Sequence, residues 1–122
     1  MAQGDPGSIR VQRDGAAPWV LELHGEHDLS TVAAIHAQLA PIADRGEAAI
    51  VDLSQVTFID SAVLTELLAS RRPDEEDDGA RLAIVAPSGG FPARVLGLLQ
   101  LERVMAVYES RDEALASFEP AA

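Results

Sequence analysis

The chain has 122 residues, enough for one domain and too few for a second core of ordinary size. Twenty Asp and Glu stand against nine basic residues, all Arg, giving a formal charge of −11; such a surface repels nucleic-acid backbones and anionic membranes. The absence of Cys excludes disulfides, thiol catalysis and Cys-ligated metal, and with no membrane-length apolar run or signal-peptide pattern the expected compartment is the cytoplasm.

Residues 1–7, rich in Gly and Pro, are expected to be a flexible tail, 8–118 a single domain and 119–122 a second tail. Ile9 and Val11 alternate with Arg10 and Gln12, the pattern of a half-exposed strand. After the Asp14-Gly15 turn, Trp19, Leu21 and Leu23 alternate with Glu22 and His24, which completes a hairpin. Gly25 is expected to end that strand, leaving Glu26, His27 and Asp28 as a polar loop. Leu29, Val32, Ile35, Leu39 and Ile42 recur at helical spacing, with Ser30 or Thr31 as cap and Pro41 ending or kinking the helix near Ala40. Ala48 to Leu53 reads as a short, covered central strand. Asp60-Ser61 opens a second helix with Leu64, Leu67 and Leu68 facing inward. Pro73 should stop it, and Asp74 to Asp78 should form a solvated acidic loop. Leu82 to Ala86 is another apolar strand. Ser88 as cap and Pro92 as early proline start a third helix, whose buried face is Val95, Leu96, Leu98 and Leu99. Met105 to Tyr108 and Asp112 to Phe118 read as a last short strand and helix. A hairpin followed by alternating helix and strand implies an α/β fold, a mixed sheet of about five strands with helices packed on it.

Three groups of residues could carry chemistry. Asp60-Ser61 lies between a buried strand and a helix, where free backbone amides and the helix dipole favour a negative group on the hydroxyl. Asp and Ser are also ordinary helix caps, which accounts for the pair equally well. Glu26 and Asp28 follow one strand end and Asp60 another, so these acids could share a surface with Ser61. They could bind metal, act as acid and base, or meet an Arg-bearing partner. His24, His27 and Asp28 would make a metal site only if their side chains converged, and a segment straddling a strand end disfavours that. Ser88-Gly89-Gly90 lacks the spacing and the Lys of a phosphate loop, and no Ser has the flanks of a nucleophile elbow.

Taken together, Gly25-Glu26-His27-Asp28-Leu29-Ser30-Thr31, Ile50-Val51-Asp52-Leu53-Ser54 and Val56-Thr57-Phe58-Ile59-Asp60-Ser61 resemble the STAS domain. The resemblance runs from about Val20 to Phe118, and the bacterial anti-sigma factor antagonists fit best. It implies a single STAS-like domain that is a regulatory switch, not a catalyst. Such a protein binds an anti-sigma factor with a GHKL-type serine kinase fold and releases a sigma factor. The kinase phosphorylates the Ser after the motif Asp, here Ser61, and a PP2C-type phosphatase reverses this. Asp28, Asp60, Ser61, Ala62 and Val63 would then form the partner surface, and Asp52 would be structural. No metal or cofactor is implied for the chain itself, and a homodimer stays open. The resemblance also fits a STAS module that is never phosphorylated, in a lipid-transport or signalling assembly. Two positions depart from the family pattern, and the second helix also stops early, at Pro73, before the acidic loop. Val63 stands where Gly is usual, which predicts crowding of a docking kinase, and Gln100 replaces a late Gly of the third helix.

Overall fold

The computed structural model describes residues 7–70 and 82–119. The elements run β1 (Ser8–Gln12), β2 (Trp19–His27), α1 (Leu29–Asp44), β3 (Ala49–Ile59), α2 (Ser61–Ser70), β4 (Leu82–Val85), α3 (Phe91–Leu98), a 3-10 turn at Leu101–Arg103, β5 (Ala106–Tyr108) and α4 (Arg111–Ser117). Most of the expected 1–7 and 119–122 tails lies outside the described residues, as do Pro73 and the acidic stretch Asp74 to Asp78. Among the described residues no helix is long and apolar enough to cross a membrane.

The strands lie side by side in chain order, β1 antiparallel to β2 and every later neighbour parallel. Parallel crossovers share one hand, so steps in one direction put α1, α2 and α3 on the same face. The main core confirms this, with Leu21, Leu23, Val51, Leu53, Val56 and Ile59 of the sheet meeting Ile35, Leu39, Val63, Leu67 and Leu96 of those helices. A smaller cluster of Val20, Ile50, Ala83 and Val85 lies on the opposite face under Ala114 of α4.

That opposite face also holds a buried charge. Asp52, 3% exposed, accepts the Ser54 amide at 2.9 Å and two Arg111 hydrogen bonds at 2.8 and 3.2 Å. Arg111 also bonds Glu22, whose other oxygen meets His24 at 2.6 Å. Burial pushes the Asp52 carboxyl up, but the Ser54 and Arg111 hydrogen bonds hold it below its ordinary value. Asp52 is therefore structural: it clamps the first turn of α4 onto the sheet.

Several expectations are corrected. Strand β2 does not end at Gly25; Gly25 takes a left-handed φ of 81° inside the strand, and Glu26 and His27 continue pairing with Phe58 and Ile59. Strand β3 does not end at Leu53. Register shifts against β2 break its alternation, leaving Ser54-Gln55 and Thr57-Phe58 exposed on either side of buried Val56. Helix α1 is capped by Asp28, which accepts the Ser30 amide at 2.9 Å, and it runs through Pro41 to Asp44. Pro41 removes one bond close to the end, while Arg45 still donates to its carbonyl at 3.1 Å. The cap of α3 is Gly90 rather than Ser88, whose amide instead donates to Glu109. Leu98 and Leu99 are 77% and 54% exposed, because α3 is only eight residues long and buries Pro92 and Leu96.

Gln100 occupies a glycine-like position. Its φ is 56°, and its amide closes α3 on the Gly97 carbonyl at 3.1 Å. A side chain there resists the left-handed turn that a helix end favours in glycine. Gln100→Gly is expected to stabilise the protein by about 1 kcal/mol, read as a higher urea midpoint with an unchanged slope. A lower midpoint would show that the Arg103 hydrogen bond to the Gln100 side chain, 3.1 Å long, outweighs the backbone cost.

Candidate functional site

Strand β4 pairs with β3 only from Ala49 to Asp52, so the last seven residues of β3 project past β4 beside β2. This projection carries Phe58, Ile59 and then Asp60 to the edge where β2 delivers His27 and Asp28. A backbone bond from the Asp60 amide to the His27 carbonyl, 3.2 Å, ties the two strand ends together. Asp28 and Asp60 therefore head α1 and α2 at one edge of the sheet, as the strand–helix order suggested.

Each acid is engaged as a cap. Asp28 takes the amide and hydroxyl of Ser30, which hold its carboxyl below the ordinary value. One oxygen of Asp60 accepts the Ala62 and Val63 amides at 3.0 and 3.3 Å, and its carbonyl takes the Leu64 amide. The amides expected to receive a phosphate on Ser61 are thus already occupied by Asp60. Ser61 itself is exposed at the first helical position, and no hydrogen bond engages its hydroxyl among the described residues.

Ala62 is half-buried, and Val63 departs from its expected place on the surface. Its side chain is fully buried in the main core, because the third position of α2 faces inward with Leu64 and Leu67. It contributes nothing to the surface and does not crowd an approaching protein. Exposed apolar residues that local pattern does not reveal flank both acids. Phe58 and Phe91 stack with ring centroids 5.7 Å apart, 41% and 37% exposed, and Leu29 beside Asp28 is 72% exposed. The break in alternation around Val56 hides Phe58 from a period-two reading, and Phe91 reaches it only through the tertiary fold.

The histidines do not converge on Ser61 or on one another. His24 turns to Glu22 on the far face, His36 pairs with Glu66 at 2.9 Å, and His27 is buried inside. Among the described residues no group of three His, Cys, Asp or Glu could hold a metal ion. Two capping carboxylates, a hydroxyl with no hydrogen bond among the described residues and an aromatic pair thus lie at one edge of the α/β sheet.

Comparison with known proteins identifies the family. Residues 9–116 match a family profile described as "Mlab, STAS domain", and the chain belongs to the STAS domain family. Among solved structures it is similar to an anti-sigma factor antagonist from Mycobacterium paratuberculosis, with 27% identity and a TM-score of 0.74 over 92% of this chain and 93% of that one. It also resembles the Bacillus cell-fate determinant SpoIIAA in its phosphorylated form, with 22% identity and a TM-score of 0.67 over 92% and 100% of the two chains. A STAS domain protein from Planctomyces limnophilus matches at 21% identity and a TM-score of 0.68, over 91% and 97%. The search of curated proteins returns no match.

Proposed function

We propose that this chain is an anti-sigma factor antagonist of the cytoplasm, switched off by phosphorylation of Ser61. The observation that carries the proposal is the exposed, unengaged Ser61 hydroxyl directly after Asp60, on the edge shared with Asp28. The partner is an anti-sigma factor with a GHKL-type serine kinase fold, whose capture frees a sigma factor; a PP2C-type phosphatase restores the active form. The likeness to an anti-sigma factor antagonist at 27% identity supports this assignment, as does the phosphorylated form of SpoIIAA, a protein of similar fold. ATP and magnesium belong to the partner, and this chain is the substrate.

The arrangement of caps explains how the switch works. A phosphate adds between one and two negative charges, about −1.5 to −2, beside Asp60 and Asp28. With Asp60 already holding the Ala62, Val63 and Leu64 amides, the phosphate gains little inside the protein. It stays on the surface and acts on whatever docks there. A hundredfold loss of affinity needs only about 2.7 kcal/mol, within reach of like-charge repulsion across a partly desolvated interface.

The test is intact mass and peptide mapping of the protein from its host, followed by binding assays with the anti-sigma factor. Ser61 should carry the phosphate; Ser61→Ala should bind and resist modification; Ser61→Asp should bind at least tenfold more weakly. Phosphate mapped elsewhere, or equal binding by all three forms, would overturn the proposal. The second reading is an unphosphorylated module in a lipid-transport or signalling assembly, which membership of the STAS domain family fits equally. It predicts a stable complex through the same surface that ignores ATP.

A further inference from the structure

His27 is the one histidine buried completely, and the function proposed above makes no use of it. Its ring lies directly beneath the binding edge and touches three parts of the chain. Nε2 is 3.1 Å from the His24 carbonyl, which can only accept, so Nε2 carries a hydrogen. Nδ1 is 3.0 Å from the Thr31 hydroxyl in the first turn of α1, and that hydroxyl is also 3.1 Å from the Asp28 carbonyl. The third contact is the segment leading into β1. A methyl group on Gly7 would lie 2.8 Å from Cε1, 2.9 Å from Nδ1 and 2.4 Å from the Glu26 carbonyl, so Gly7 is pressed onto the ring. The His27 backbone carbonyl holds the Asp60 amide. Both acidic positions and the start of β1 are thus joined through one residue.

A proton on Nδ1 would change this junction. In the neutral ring Nδ1 accepts from the Thr31 hydroxyl; once protonated it must donate, and the Thr31 hydrogen turns to the Asp28 carbonyl. The new charge would be fully buried, at the positive end of the α1 dipole. The titratable and charged groups facing the ring are few. Asp28 at the head of α1 favours the proton, and His24 on β2 opposes it. From the start of β1 only the Gly7 and Ser8 backbone reaches the ring, and β3 presents Ile59 opposite it.

We infer that His27 is a proton-sensitive latch: its neutral ring holds the Gly7–Ser8 segment, Thr31 and the Asp28–Asp60 edge in one arrangement, and its protonation loosens them together. Burial, opposed by the His24 and Ser8 backbone and by Asp28, sets the transition below the ordinary histidine value of 6.5. The consequence for partner docking in acid rests on the proposed function, but the latch itself does not.

Amide NMR spectra recorded between pH 7.5 and 4.5 provide the test. The Gly7, Ser8, Thr31 and Asp60 amides should shift together with the His27 ring, with one midpoint below 6.5, and the shared transition should vanish in His27→Gln. Gly7→Ala, which must lift the segment from the ring, should move the His27 midpoint up toward 6.5. The inference is overturned if those amides titrate unchanged in His27→Gln, or if Gly7→Ala leaves the midpoint where it was. A failure of the proposed function would appear as absent phosphate or partner binding and would leave these titrations intact.

Discussion

Arg111→Met is expected to destabilise the protein by about 3 kcal/mol at neutral pH, measured by urea unfolding. The substitution keeps most of the side-chain length but removes the cation from Asp52, leaving it Ser54 alone, through amide and side chain, in a site where the Asp52 side chain is 4% exposed. The pH dependence gives the assignment a second test. In the wild type the Asp52 carboxyl sits below its ordinary value of 3.8, so it stabilises the fold above that pH. This contribution is lost as pH falls through the folded value. In the variant the Arg111 bonds no longer oppose burial, so the carboxyl moves up from its wild-type position and the stabilisation by ionised Asp52 shrinks. The gap between the two proteins should therefore be widest near pH 7 and narrow toward pH 3. Adding Asp52→Val to Arg111→Met should recover much of the loss, because it removes the unpaired charge. A gap independent of pH would mean that Arg111 acts through packing alone.

Val63→Gly is expected to cost about 3 kcal/mol, or roughly 10 °C in Tm. Most of this comes from emptying a fully buried volume between α2 and the sheet, and the rest from the freedom glycine gains in the unfolded helix. On the folded protein, the rate at which a kinase modifies Ser61 should not rise, because the Val63 side chain never faces the kinase. A faster rate, measured below the melting transition and matched for the folded fraction, would show that glycine frees the start of α2 to move. Thermal unfolding by circular dichroism and a phosphorylation time course separate the two effects.

Much of the fold is legible in the residue order. The hairpin, the helical stripe from Leu29 to Ile42 (apart from Leu29, which is exposed), the inward face of α2, the apolar β4 and the final strand and helix all follow from period and composition. The misreadings share a physical origin in positions where tertiary structure overrides local pattern. The register shifts of β3 make Leu53 look like a strand end, and the eight-residue α3 turns Leu98 and Leu99 outward although their spacing suits a core. Val63 and His27 teach the opposite lesson. Spacing from Leu67 alone puts Val63 inside; only the family pattern suggested a surface role. The alternation Leu21, Leu23, Gly25, His27 likewise continues inward, disguised by the glycine and the polar residues that follow it. At the site, Asp28, Asp60 and Ser61 were readable as residues that head helices. The aromatic pair beside them was not, since no local rule joins Phe58 to Phe91.

The sheet lists its strands in the order in which a ribosome makes them, each new strand adding to the outer side of the last. Such a chain is suited to folding progressively during synthesis, with few partners to wait for. Asp28, Asp60 and Ser61 draw on β2, α1, β3 and the start of α2, so they emerge early. The clamp between Asp52 and Arg111 closes last, and until then Val20, Ile50 and Val85 lack their cover from α4. The final helix thus acts as a completion seal: a nascent chain displays Ser61 well before the fold that supports it is secure.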